Sequence, residues 1–346
     1  MSEVYTAWWI DDDPDREESA EVFEEGSNRL VVKFERASEV AEKLWFESES
    51  TDGEDRTTSA NGAARVSDES VDIILLDWKL YEDGRFGGTG KSIVGVLREE
   101  FSETPVYGLS SQPDFIDESV FDDTFDVDRL VGAAEQVVSD IDDYRRIEAN
   151  GESIETLVGC LNPPETDTQQ LERLVPRKFT GGLTDADTET GVEFAGWVRD
   201  DLLPRPGLLL NRTWTATKLG VEQNVLDDRE HVLTDADVEN QTYSGVFEPS
   251  ETLWWKSKLI DTLVDVDIEE GGSGQFTNTW EKGAELLDAD AEERSTCVVC
   301  NESFPETVAA ATAGEEYAQH PVHFRCSDVY KSRMGAYADF RVANKL

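Results

Sequence analysis

Residues 71–77 read Val71-Asp-Ile-Ile-Leu-Leu-Asp77, an apolar run that stops at a carboxylate. Five of its first six residues are aliphatic, and three of those are β-branched. A strand this uniformly apolar has no face for water, so it needs cover on both sides, which is the setting of a parallel strand in an α/β sheet. Asp77 then stands at the carboxyl end of a central strand. That edge is where open α/β sheets bind ligands.

A second run ends the same way. Tyr5-Thr-Ala-Trp-Trp-Ile10 leads into Asp11-Asp12-Asp13-Pro14, and a helical pattern over Arg16–Glu25 opens behind Pro14. If the two strands are neighbours in one parallel sheet, Asp11, Asp12 and Asp77 converge at one edge. Three crowded carboxylates repel one another unless a cation sits among them, and an all-oxygen donor set favours Mg²⁺.

These features, with Thr104-Pro-Val-Tyr-Gly-Leu-Ser110-Ser111 as a fourth strand, make residues 1 to about 147 resemble the receiver domain of two-component response regulators. The resemblance implies a flavodoxin-like, doubly wound, five-stranded parallel sheet. It also implies that Asp11 and Asp12, with Asp77, hold Mg²⁺, that Asp77 accepts a phosphoryl group, and that Ser110 bonds the phosphoryl oxygens. Transfer of that kind needs mainly positioning and charge neutralisation. The family carries a Lys just after its fifth strand, and the aligned position here, within residues 121–130, is Asp123. Lys79, two residues beyond Asp77, is the cation available to substitute. Residues 81–88 form an insertion ahead of the next helix.

The chain's 346 residues leave room for two or three domains. The expected division is a receiver-like domain at 1–149, an effector or interaction domain at 152–290, and a metal-binding module at 295–346. Residues 47–69, rich in Ser, Thr, Asp and Gly, read as a disordered insertion. Further helices are expected over 38–46, 89–99 and 127–147. With 76 acidic against 31 basic residues, the net charge of −45 suits a halophile's solvated surface and opposes non-specific DNA binding by the whole chain. No run approaches the roughly 18 apolar residues of a membrane span, and no leader precedes the first strand, so a cytoplasmic protein is expected.

Two motifs fail on inspection. The sequence around Gly90-Lys91-Ser92 departs from an NTP-binding loop, because Arg85 stands where a Gly is required and the strand lies too far upstream. Trp214-Thr-Ala-Thr-Lys-Leu-Gly-Val221 followed by residues 222–230 has the cadence of a helix-turn-helix. Its second helix is net acidic, however, whereas groove reading needs basic and amide side chains. The middle region is therefore expected to be a packed helical or α+β domain. Its tryptophans 197, 214, 254, 255 and 280 are expected in cores or contacts, and His231 at the surface.

Three of the four cysteines fall in Cys297-Val-Val-Cys300 and Cys326, beside His320 and His323. In a reducing compartment this pattern is a metal site rather than a disulfide framework. Cys297, Cys300, His323 and Cys326 make a closed Cys₃His set suited to structural Zn²⁺, with His320 as the spare. The layout resembles treble-clef zinc modules, in which a knuckle and hairpin precede a helix bearing the second ligand pair. The basic stretch 325–346, with Tyr330, Tyr337 and Phe340, suits either a protein contact or nucleic acid.

The resulting expectation is a signalling protein phosphorylated on Asp77 by a histidine kinase or another signalling partner, with output through the C-terminal half. Two alternatives stand beside it. One is a pseudo-receiver adaptor without phosphotransfer, and the other is a nucleic-acid-binding regulator using the basic tail.

Overall fold

The computed structural model describes residues 3–49, 70–80, 88–111, 120–130, 132–183, 190–234, 241–276, 278–297, 300–302, 307–311, 319–323 and 326. The backbone divides into two compact units, one of Met1–Ala149 with Asp185–Gly196 and one of Asn150–Thr184 with Trp197–Leu346.

The first unit alternates strands and helices. Its elements are β1 (Tyr5–Asp11), α1 (Arg16–Glu25), β2 (Leu30–Arg36), α2 (Ala37–Glu49), β3 (Ile73–Asp77), β4 (Lys79–Leu80), β5 (Gly88–Thr89), α3 (Lys91–Glu100), β6 (Val106–Ser110), β7 (Asp123–Asp126), α4 (Val127–Leu130) and α5 (Ala134–Ala149). Five strands form one parallel sheet in the order β2-β1-β3-β6-β7. This is the flavodoxin-like doubly wound order.

Alternation along the strands builds two cores. Trp8, Ile10, Ile74, Leu76 and Val106 face one way and pack with Val40 and Leu44 of α2 and Ile93, Val94 and Leu97 of α3. Trp9 meets Phe23 of α1 edge-on at 5.9 Å, and Tyr107 reaches Tyr144 and Asp140 of α5, so α1 and α5 cover the opposite face. Ile73, Ile74, Leu75 and Leu76 are all fully buried, and each such side chain stabilises by about 1.5–3 kcal/mol.

At the amino ends of the strands, basic residues tie the layers together. Arg29 donates to Asp142 at 2.7 and 2.8 Å, Arg145 bonds Asp72 at 2.5 Å and also pairs with Glu3, and the Tyr5 hydroxyl bonds Asp142.

Several sequence expectations shift. The helix expected over 127–147 is broken at Gly132 into α4 and α5. α2 takes in residues 47–49 of the expected insertion, and residues 50–69 lie outside the described set. β4 and β5 pair antiparallel across the insertion after Asp77, of which 81–87 lie outside the described residues.

The second unit is mainly helical, with α6 (Ile154–Gly159), α7 (Glu165–Leu174) and a 3₁₀ turn at Arg177–Phe179. Helix α8 (Gly191–Gly196) belongs to the first unit, where it packs on α5. The second unit then resumes with a π-helical turn at Trp197–Leu202, β8 (Leu209–Leu210), α9 (Arg212–Leu219), α10 (Gln223–Thr234), β9 (Trp254–Trp255), α11 (Lys256–Glu269), α12 (Thr279–Leu286), a 3₁₀ turn at Ala291–Glu293, β10 (Thr307–Ala311) and β11 (Gln319–His323). Its core gathers Trp214, Leu219, Leu226, Leu259, Leu263 and Leu287, while Trp254 and Trp255 are fully buried.

Helix α9 begins on Asn211, whose side chain accepts the Trp214 N–H at 3.0 Å, and ends on Gly220 at φ +74. Only glycine adopts that φ without strain, and a Cβ there would lie 2.6 Å from the Trp280 carbonyl. In the α9-turn-α10 unit both arginines are paired within the second unit. Arg212 pairs with Asp227 and Glu230 of α10, and Arg229 binds the Leu287 and Asp288 carbonyls and Glu293. His231 is exposed.

Candidate functional site

The carboxyl edge of the sheet gathers the acids. β1 ends at Asp11 and β3 at Asp77, with Ile10 in register with Leu76, so the two strands deliver their terminal residues side by side. One carboxylate oxygen from each of Asp11, Asp12 and Asp77 lies within 4.8 Å of the others. Asp77 stands opposite Leu109 on β6, and the next residue of β6 is buried Ser110.

Local hydrogen bonds fix the orientations. Asp11 accepts the Asp13 N–H at 2.9 Å and the Trp9 indole N–H at 3.4 Å. Asp77 accepts the Lys79 N–H at 2.9 Å. The chain then turns back so that the Gly90 N–H donates to the Trp78 carbonyl at 2.9 Å.

Electrostatics make this edge costly without a cation. Burial first, then the Asp11 and Asp12 charges, push the Asp77 carboxyl up to about 8, against the pull of the Lys79 N–H and the Arg16 charge. Burial likewise carries Asp11 up to about 6, with Asp12 adding to the rise. An all-oxygen set that resists holding its full negative charge fits a hard divalent cation such as Mg²⁺.

The fifth strand requires a correction. Asp123 opens β7 rather than following it, in register with Tyr107, and the strand closes on Asp126, opposite Ser110. Neither position supplies a cation; Asp126 adds another carboxylate beside Ser110, at 3.5 Å from Arg129. Lys79 meets Asp77 through its backbone N–H, and among the described residues Arg16, at the start of α1, is a cation whose charge bears on both Asp11 and Asp77.

Sequence reasoning missed Arg16, Asp126 and Gly90. A Cβ at Gly90 would lie 2.6 Å from the Asp77 carbonyl oxygen. The glycine of the Gly-Lys-Ser triplet is thus required by close approach to the acidic edge, not by a phosphate cradle. Gly90→Ala will cost about 1–3 kcal/mol and weaken divalent-cation binding severalfold by displacing Asp77. Denaturant midpoints and a Mg²⁺ titration read both effects, and unchanged Mg²⁺ binding would contradict the second.

A separate cluster lies in the second unit. One sulfur each from Cys297, Cys300 and Cys326 lies within 4.8 Å of the others, with Cys297 fully buried and Cys300 exposed. The Cys297 carbonyl accepts the Asn301 N–H at 2.8 Å, Asn301 takes φ +57, and the Cys297 N–H donates to the Glu302 carbonyl at 3.1 Å. These bonds hold Asn301 and Glu302, and with them Cys300, beside Cys297. Burial and the neighbouring thiols push Cys326 up to about 11, and soft donors so placed fit a thiophilic cation.

His323, expected on the first turn of a helix, instead closes β11, paired with Thr307 of β10. His320 lies within the same strand, opposite Ala310. The expected basic helix at 327–346 lies outside the described residues.

No protein-family profile matches this chain, and no curated protein matches it. Among solved structures, it is similar to the signal receiver domain of an HD domain-containing protein from Pseudomonas fluorescens Pf-5. Identity is 13 %, 42 % of this chain and 95 % of that one are covered, and the TM-score is 0.29. It is also similar to the Salmonella typhimurium response regulator RcsB, at 10 % identity, with 54 % and 95 % covered and a TM-score of 0.28. The first unit is a flavodoxin-like doubly wound sheet. That assignment rests on its own strand order and register. Among the described residues no helix is long and apolar enough to cross a membrane.

Proposed function

We propose that this chain is a response-regulator-like signalling protein of an acidic, halophilic cytoplasm, in which Asp77 accepts a phosphoryl group. The observation that carries the reading is the convergence of Asp11, Asp12 and Asp77 at the carboxyl edge of β1 and β3, beside Ser110. Asp11, Asp12 and Asp77 are the residues to hold Mg²⁺, which when bound neutralises charge on the incoming phosphoryl oxygens.

An Asp77 oxygen attacks the phosphorus of a partner kinase's phosphohistidine in line. The P–N bond breaks, its electron pair stays on the imidazole, which takes up a proton, and Asp77 becomes an acyl phosphate. The Ser110 hydroxyl donates to a phosphoryl oxygen. Water later cleaves the P–O bond and releases inorganic phosphate. The added charge biases the surface formed by the neighbouring loops, and the second unit carries the output.

Intact-mass measurement after incubation with a small acyl phosphate and Mg²⁺ tests the reading. Wild type gains one hydroxylamine-labile phosphoryl adduct that requires Mg²⁺ and is absent from Asp77→Ala. An adduct that persists in Asp77→Ala would overturn it.

A second reading has its own support. Asp126, not a lysine, closes β7 beside Ser110, which favours a pseudo-receiver adaptor that keeps the acidic edge as a cation or docking site. Folded, Mg²⁺-binding protein that gains no adduct from either an acyl phosphate or a kinase would establish that reading in place of the first. Nucleic-acid contact through the basic residues 325–346 is a third use of the chain, supported by composition alone.

A further inference from the structure

The thiol cluster does not stand apart from the helices of its unit. The segment that enters it, residues 293–297, is fastened to the turn between α9 and α10 at successive residues. The Glu222 N–H donates to the Glu293 carbonyl at 2.9 Å, Val221 bridges Arg294, and the Ser295 N–H donates to the Gly220 carbonyl at 3.1 Å. The Thr296 N–H then donates to the Glu222 carboxylate at 2.8 Å. Arg229 of α10 clamps Glu293 from the other side at 2.8 and 3.1 Å. The next residue is Cys297, fully buried, and beyond the knuckle β10 and β11 pack against α9.

This arrangement has a physical consequence. The α9–α10 turn is held by a left-handed Gly220 and by hydrogen bonds to a segment that, from Arg294 to Thr296, makes only isolated β-bridges. Such a segment resists fraying only if its far end is fixed. Among the described residues the group placed to fix it is the Cys297–Cys300–Cys326 cluster, which ties the knuckle at 297–300 to Cys326, beyond the hairpin.

We propose that these three thiols hold a thiophilic divalent cation whose binding locks the α9–α10 turn, so that the metal centre and the helix pair form one cooperative element rather than a module and a neighbour. Binding converts the thiols to thiolates, whose protons pass to solvent, with no change of oxidation state. Loss of the cation frees residues 293–297 and, through them, the turn at Gly220–Glu222. The proposal is independent of phosphoryl transfer at Asp77.

The test uses the full chain at constant high salt, with zinc as the probe. Metal content is measured by elemental analysis, and amide hydrogen exchange is followed before and after stripping with excess dipicolinate. Wild type will carry one zinc per chain. Stripping will raise exchange across residues 212–226 at least tenfold and leave residues 73–77 and 106–110 unchanged. Cys300→Ser, at an exposed thiol, will lose most of the zinc and show the raised exchange without stripping.

Glu222→Ala, which removes the Thr296 acceptor but no thiol, will keep its zinc. Its response to stripping across 212–226 will shrink at least threefold. Absence of tightly bound zinc from wild type prepared with zinc would overturn the proposal. So would stripping that leaves 212–226 unchanged, or that raises exchange equally in 73–77.

Discussion

Asp77→Asn will melt above the wild type at neutral pH in the absence of divalent cations, and it will lose most of the stabilisation that Mg²⁺ gives the wild type. In the folded chain Asp77 holds its proton up to about pH 8, whereas an unfolded carboxyl releases it near the ordinary value of about 3.9. Folding therefore takes up a proton across that window. The associated stability is fully present below the unfolded value and is lost as pH rises through the folded one.

Asparagine keeps the oxygen that accepts the Lys79 N–H and abolishes the ionisation of the unfolded chain that opposes folding. Between the unfolded value and pH 7 lie about 3 pH units at about 1.36 kcal/mol each, so the gain is on the order of 4 kcal/mol near pH 7, or about 8–16 °C for a unit of this size, and it shrinks towards pH 5. Wild type recovers part of the loss by binding Mg²⁺, about 2.7 kcal/mol at a hundredfold excess over its dissociation constant. Thermal melts at pH 5 and 7, with and without Mg²⁺ at fixed ionic strength, check each part. A mutant that melts lower at both pH values and keeps the full Mg²⁺ response would mean that the acidic edge is neutralised by the protein's own cations.

Trp255→Ala will cost the second unit about 3–5 kcal/mol, the range for emptying a large aromatic site that cannot collapse. Trp255 is fully buried and pairs with Leu209 across β8 and β9. Its N–H donates to the Gln241 carbonyl at 2.8 Å, and its ring lies 6.0 Å from Tyr243. Its position at the junction of β9 and α11 means that truncation empties the core and loosens a helix start together.

Trp255→Phe separates two contributions. The Trp255 indole N–H meets no acceptor among the described residues, and an orphan buried donor costs about 1–3 kcal/mol. Phenylalanine removes that penalty while leaving a smaller cavity, so it will cost under about 1.5 kcal/mol. Denaturant midpoints of the two variants read the difference. A Trp255→Phe loss well above about 1.5 kcal/mol would show that relief of the orphan indole N–H contributes nothing.

The sheet was legible because its central strands are buried on both faces and so read as unbroken apolar runs. Ile73–Asp77 and Tyr5–Asp11 both announce where they stop by a carboxylate. With the two strands as neighbours, that pattern puts Asp11, Asp12 and Asp77 at one edge. β7 was not legible in the same way. Asp123–Asp126 is a half-buried edge strand with no apolar run, and its register slipped by the length of the strand, which hid Asp126 beside Ser110.

The break between α4 and α5 was hidden because the apolar spacing continues through Gly132. His323 was drawn towards a helix by its i, i+3 relation to Cys326, whereas β10 pairs through Ala309 and Ala310, residues of low strand propensity. Arg16 and Gly90 act through approach in space, which spacing along the chain does not encode.

The most direct measurement is to locate the phosphoryl group itself. After incubation with an acyl phosphate and Mg²⁺, borohydride reduces an aspartyl phosphate to homoserine, and peptide mapping finds the altered residue. Homoserine at position 77 and nowhere else is the predicted result. Homoserine at position 11, 12 or 126, or a phosphorylated chain with Asp77 intact, would contradict the assignment of Asp77 as the acceptor.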